Sequence, residues 1–205
     1  MTIICISDTH GRHREVELPG GDLLIHAGDI SNGREQQVRD FLDWFIAHPH
    51  RYKVFIGGNM DRPLEARPQH YRDQLPERVY YLENDELDIE GIKIWGSPVV
   101  PRFVGAFNYE RGPELRHFWK QIPDDINLLV THTPPYGILD RTSQGKSVGC
   151  EELAERVKQI QPKLHLFGHV HESYGRREME NTIFINASYI GGRSGQPHLP
   201  FEVEV

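Results

Sequence analysis

Five short runs rich in Ile, Val and Leu punctuate the chain: IICIS (3–7), LLIHA (23–27), KVFIG (53–57), NLLVT (127–131) and LHLFG (164–168). Each stops at a polar or glycine-containing corner, the pattern of a short strand buried on both faces. Helical periodicity fills the gaps. In REQQVRDFLDWFIAHP, Val38, Phe41, Leu42, Phe45 and Ile46 share one face, with Ser31 or Asn32 placed to cap it and Pro49 to stop it. Leu153, Val157 and Ile160 do the same in EELAERVKQIQP, before Pro162. Strands alternating with helices define an α/β layered fold with parallel strands. Two hairpin patterns break that alternation: ELDIEGIKIWGS (86–97), about Gly91, and YGRREMENTIFINAS (174–188), turning near Glu180–Asn181. The sheets are therefore expected to be mixed. The stretches 98–113 and 191–200 read as long surface loops.

At 205 residues the chain suffices for one domain with a sizeable core, so residues 1–205 are read as a single unit. A net charge of -7 argues against an extended nucleic-acid partner, which needs a basic face. A small phosphorylated substrate in a local basic pocket stays compatible with it. Cys5 and Cys150 lie far apart and form no CxxC pair, which reads as two free thiols in a reducing compartment. The N-terminal apolar run is too short and too soon interrupted for a signal peptide, and no stretch has the length to span a membrane. The expectation is a cytoplasmic protein without membrane association.

In an open α/β sheet, ligands gather at the carboxyl ends of the parallel strands. Here those ends deliver Asp8 and His10 in SDTHG, Asp29 in HAGDI and Asn59 in GGNMD. They also deliver His132 in THTPP, and His169 and His171 in GHVH. Singly, each has an ordinary explanation as a turn former or a structural histidine. Together they are seven N and O donors at one edge, costly to bury without a counter-charge. Seven donors exceed one tetrahedral zinc and suit two divalent ions sharing a carboxylate. Gly28, Gly57, Gly58 and Gly168 fit backbone turning tightly beside such ions.

The order D-x-H, GD, GN, H, GHxH resembles the calcineurin-like metallophosphoesterase superfamily, over residues 8–171. THTPPYGILD, VGCEELAERV and LHLFGHVHESYG are similar to its small metallophosphoesterase-domain-containing branch. The resemblance implies a four-layer sandwich of two mixed β-sheets flanked by helices. It implies one metal held by Asp8, His10, Asp29 and His171, and a second by Asp29 as bridge with Asn59, His132 and His169. The ions would be Mn, Fe, Zn or Ni, since all accept mixed N/O sites. The activity implied is phosphoester hydrolysis by a hydroxide bridging the two ions, with Asp29, Asn59 and His132 central to it.

The third motif departs from the pattern. Most of the superfamily has histidine after the asparagine, and that histidine is thought to protonate the leaving oxygen; here it is Met60, which carries no useful proton. Positioned acid–base catalysis is typically worth about 10²–10⁴-fold, so the site reads as restricted to small phosphodiesters with good leaving groups, cyclic or other nucleotide diesters among them. His13 and Asp61 are the alternative proton sources. Arg12 and Arg62 stand beside metal motifs and are candidate phosphate contacts, with Arg102 and Lys146 weaker ones. The GKS at 145–147 is not a phosphate loop, because Asp140 occupies the first glycine position. His26 and His165 read as structural, and His48, His50, His70, His117 and His198 as solvated. Trp44, Trp95 and Trp119 read as packing residues. A phosphomonoesterase or nuclease of the same fold is the alternative, and a protein-binding scaffold is the reading from another class.

Overall fold

The computed structural model describes residues 1–192 and 194–205. Its strands are β1 (Thr2–Ile6), β2 (Leu23–His26), β3 (Tyr52–Ile56), β4 (Val79–Leu82), β5 (Asp85–Ile89), β6 (Ile92–Ser97) and β7 (Val100–Pro101). They continue with β8 (Asn108–Tyr109), β9 (Leu128–Thr131), β10 (Leu164–Phe167), β11 (Gly175–Met179), β12 (Thr182–Asn186) and β13 (Phe201–Glu204). The α-helices are α1 (Glu35–Ala47), α2 (Arg62–Ala66), α3 (Pro68–Arg72), α4 (Pro113–Trp119) and α5 (Glu151–Ile160). One sheet runs β13-β1-β2-β3-β4 and the other β11-β12-β10-β9-β6-β5. Strands β1 to β4 are mutually parallel, as are β6, β9, β10 and β12. Both hairpins are antiparallel, so the sheets are mixed as expected.

Side-chain alternation builds the layers. Ile3, Cys5, Leu23, Ile25, Val54 and Ile56 point inward to meet Leu128, Val130, Leu164 and Leu166 from the other sheet. Their neighbours Ile4, Ile6, Leu24 and Phe55 face α1 through Val38, Phe41, Leu42 and Phe45. Leu129, Phe167, Trp95 and Phe184 face α4 and α5 through Leu115, Trp119, Leu153 and Val157. Burial on both faces explains why these strands read as continuous apolar runs. The result is a four-layer sandwich, helix–sheet–sheet–helix.

Three local expectations are corrected. Neither Ser31 nor Asn32 caps α1, which starts after Arg34 without a side-chain cap; the Ser31 hydroxyl donates to Asp61 instead. The stretch 98–113 is only partly surface, since Val99, Val100, Ala106 and Phe107 are buried. His50 is also buried, bonded through Nε2 to the Pro19 carbonyl. Arg193, inside the other expected loop, lies outside the described residues. The three tryptophans are packed into the cores as read.

His26 and His165 are fully buried, bonded through Nε2 to the hydroxyls of Thr9 at 3.0 Å and Thr131 at 2.9 Å. Burial pushes both imidazoles down to about 3, against an ordinary value of 6.5. The unfolded chain therefore binds protons between those values that the folded chain refuses. Their contribution is intact above pH 6.5 and lost as pH falls towards 3, with a limiting slope of about 1.4 kcal/mol per pH unit per histidine. Urea unfolding across this window should show stability falling with acid. In His165→Gln, which keeps a partner for Thr131, the slope should be shallower by about one proton. An unchanged slope would remove His165 from this account.

Candidate metal centre

The two sheets are stitched together at the carboxyl ends of their central strands. Beyond β1, the Ser7 N–H donates to the Ala187 carbonyl at 2.9 Å, and the Tyr189 N–H donates to the Ser7 carbonyl at 2.7 Å. Beyond β9, the His132 Nδ1–H donates to the Ala27 carbonyl at 2.9 Å, at the end of β2. This seam brings all seven donors to one place.

Asp8, His10 and His171 form one group and Asp8, Asp29 and His132 another, the ligand atoms of each lying within 4.8 Å of one another. His10 Nε2 and His171 Nε2 face each other at 3.2 Å, and His171 Nε2 lies 3.3 Å from Asp8 Oδ1. The two oxygens of Asp29 divide between the sides: Oδ2 is 3.7 Å from His10 Nε2, and Oδ1 is 3.4 Å from His132 Nε2. That division is what a bridging carboxylate needs. Asn59 Oδ1 lies 3.1 Å from His132 Nε2 and 2.9 Å from His169 Nδ1.

Backbone conformation at the site is unusual. Asp8, His10, Asp29 and His169 have φ of 54°, 47°, 53° and 68°, the left-handed region. Asp and His tolerate it better than most residues, but each such position costs on the order of 1–3 kcal/mol. Concentration of that cost on four of the donors marks the edge as built for them. Gly168 is required for a different reason: a Cβ there would lie 2.0 Å from Asp8 Oδ2 and 2.2 Å from Ser7 Oγ.

The electrostatics call for positive charge. Asp8 and Asp29 are buried, and among the described residues their ion-pair partners are histidines alone. Burial opposes ionising Asp8, but His171, together with His132 and His10, outweighs it and holds the carboxyl well below the usual carboxylate range. Burial also opposes Asp29, which His132 lowers in turn. His132 is driven the other way: burial would discharge it, yet Asp29 and then Asp8 push it up to about 9. With its Nδ1 proton committed to Ala27, Nε2 can face the Asn59 oxygen only with a proton or a cation between them. Burial, then His132, pushes His169 down to about 4, leaving it a neutral donor. Two buried carboxylates, four imidazoles and an amide oxygen therefore fit hard or borderline divalent ions.

Supporting residues fix the donors. Asp8 Oδ2 accepts from the Ser188 hydroxyl at 2.9 Å and the His169 N–H at 3.0 Å. The Ser188 N–H in turn donates to Asn186 Oδ1 at 3.2 Å. These two escaped the sequence reading, although FINAS ends a strand parallel to β10 at the same edge. Asp61, one of the two alternative proton sources, is enclosed. It accepts from the N–H groups of Ile30, Ser31 and Gly58 and from the Ser31 hydroxyl, tying the second and third motifs together. His13 is likewise occupied, buried against Asp40 at 2.8 Å. Arg12 spends its guanidinium on Glu15 at 2.6 Å and on the Gly195 carbonyl at 3.0 Å, so it is set aside as a phosphate contact. Arg62 is exposed and lines a cavity with Asn59 and Met60.

The chain is similar to known proteins in sequence and fold. Residues 1–173 match the calcineurin-like phosphoesterase family. Metallophosphoesterase domain-containing protein 1 of Homo sapiens is 36% identical over 90% of this chain, which spans 65% of that protein's length. A UPF0046 protein of Caenorhabditis elegans is 36% identical over 92% of this chain and 69% of its own. A solved phosphopantetheinyl hydrolase from Mycobacterium tuberculosis shares the fold, with a TM-score of 0.66 at 16% identity, covering 98% of this chain and 95% of that one. The chain belongs to the calcineurin-like phosphoesterase family. Within that family's span, Asp8, His10 and His171, and Asp8, Asp29 and His132, are the groups that could hold a metal ion.

Proposed function

We propose that this protein is a two-metal phosphodiesterase acting on small phosphorylated substrates. Asp8, His10, Asp29 and His171 would hold one ion, and Asp29, Asn59, His132 and His169 the other; Mn, Fe, Zn or Ni suits such donors. When bound, the paired ions supply Lewis-acid stabilisation of charge on the phosphate and acidify water. The chain's own part is to hold the donors in place. Ala27 fixes the His132 tautomer, Ser188 and the His169 N–H fix Asp8, and the Met60 N–H fixes Asp29 Oδ1 at 2.8 Å.

The observation that carries the diester preference is Met60. Its backbone belongs to the site, while its side chain lines the cavity beside Asn59 and Arg62 with no proton to give. Both alternative acids point elsewhere, His13 to Asp40 and Asp61 to backbone N–H groups. An aryl or otherwise acidic leaving group departs without a proton; an alkoxide does not. Two cavities at the tip Phe103–Val104 support a substrate with two organic arms. One of about 340 Å³ is lined by Phe103, Arg111, Val148 and His169. The other, of about 250 Å³, is lined by Val104, Asn59, Met60 and Arg62. A monoester would fill one of them.

The test is turnover of aryl and alkyl phosphodiesters and of an aryl monoester with manganese, by the wild type and by Met60→His. Aryl diester hydrolysis should lead in the wild type. The substitution should raise alkyl diester turnover by about 10²-fold or more and aryl turnover by under about tenfold. Equal gains, or none, would refute the missing-acid account.

A further inference from the structure

We propose that the turn Phe103–Ala106 is a positioning clamp for Asn59, and that its carbonyl is the reason an amide rather than a carboxylate stands at this position. The inference rests on the metal-centre reading above and adds to it how one donor is aimed. Asn59 Nδ2 donates to the Val104 carbonyl at 3.0 Å, which leaves Oδ1 turned towards His132 and His169. An amide can present either end to a cation, and only the oxygen is a ligand. The Val104 carbonyl selects that end.

The clamp also grips the Asn59 backbone. The Ala106 N–H donates to the Asn59 carbonyl at 2.7 Å. Gly105 lies against the same oxygen with φ of +100°, and a Cβ there would sit 1.8 Å from it. Phe103 stands edge-on to His169, ring centroids 5.8 Å apart at 88°, so the turn touches two donors of the same proposed ion. Its base is firm. Asn108 Oδ1 accepts the Phe103 N–H at 2.7 Å, Glu65 accepts the Phe107 N–H at 2.6 Å, and Phe107 is buried. Phe103 and Val104 themselves are 68% and 57% exposed, so the turn is fixed from below and open above.

An aspartate at 59 would set a carboxylate oxygen against the Val104 carbonyl, two acceptors with no proton between them. Charge alone makes the opposite forecast, since one more carboxylate attracts a cation. The experiment is a manganese titration by calorimetry, with metal content after gel filtration, on wild type, Gly105→Ala and Asn59→Asp. Circular dichroism and thermal melting report the fold. The clamp predicts that Gly105→Ala stays folded, keeps one ion and weakens the other by about 10–100-fold, the range typical for partners that orient a ligand. It predicts that Asn59→Asp also weakens that ion. Wild-type binding of two ions, with Gly105→Ala unchanged or Asn59→Asp tighter than wild type, overturns the clamp alone. Wild-type protein that binds no manganese overturns the metal-centre reading and the clamp with it.

Discussion

Asp29→Asn should give a folded protein that has lost its response to metal. Asparagine tolerates the left-handed φ of 53° at this position and keeps an acceptor for the Met60 N–H. What disappears is a buried negative charge facing His10 on one side and His132 on the other. Without metal the variant should be less stable than the wild type at neutral pH, because buried His132, which Asp29 helps to charge and which in turn lowers Asp29, loses one of its two carboxylate partners. With metal the two should separate further. An ion present at 1,000 times its dissociation constant stabilises the folded state by about 4 kcal/mol. For a chain of this size that is a rise in Tm of roughly 8–16 °C, which Asp29→Asn should largely lose. Turnover should fall by more than the roughly 10–100-fold seen for partners that merely orient a ligand, to at least about 10³-fold. Differential scanning fluorimetry with and without manganese, beside aryl diester turnover, checks both. A variant that keeps the metal-induced rise would show that Asp29 is not a shared ligand.

Gly168→Ala should damage the same centre from behind. The added Cβ meets Asp8 Oδ2 at 2.0 Å and Ser7 Oγ at 2.2 Å. Neither neighbour can yield cheaply. Asp8 is held by Ser188 and by the His169 N–H, and Ser7 lies in the seam joining the two sheets. Overpacking of this kind costs about 1–3 kcal/mol, and relief requires moving Asp8 or the backbone that carries His169. The expected result is a lower urea midpoint together with loss of at least one ion. Since a destabilised protein could lose metal by unfolding, metal content is measured well below the unfolding midpoint. Full occupancy there would show that Asp8 tolerates displacement and that Gly168 serves only the fold.

Much of this was legible in the residues because the fold repeats one rule. A parallel strand buried on both faces needs an unbroken apolar run, and its carboxyl end must change character sharply to leave the core. Ile6 to Asp8, His26 to Asp29 and Phe167 to His169 each make that change within a few residues. Gly91 and Glu180 take the positive φ that the two hairpin turns need. Features set by distant contacts were less visible. Ser31 looks like a helix cap by position, yet Asp61, thirty residues on, takes its hydroxyl. PVVPRFVGAFNYERGP shows no period and reads as a loop, but Phe107 packs into the core and Val104 orients Asn59 across 45 residues of sequence. Arg12 sits beside a metal motif, and only the fold reveals Glu15 and Gly195 already holding it. Local pattern encodes which side chains reach the edge; which of them are already engaged depends on contacts the pattern does not contain.

The central claim is that seven side chains from five strand ends converge on a pair of cations. Crystals grown with manganese, with anomalous scattering recorded at the manganese edge, test it most directly. The account predicts two peaks about 3.5–4 Å apart, one among Asp8, His10, Asp29 and His171, the other among Asp29, Asn59, His132 and His169. A well-ordered map with no peak at this seam, or with manganese bound only elsewhere on the protein, would contradict it.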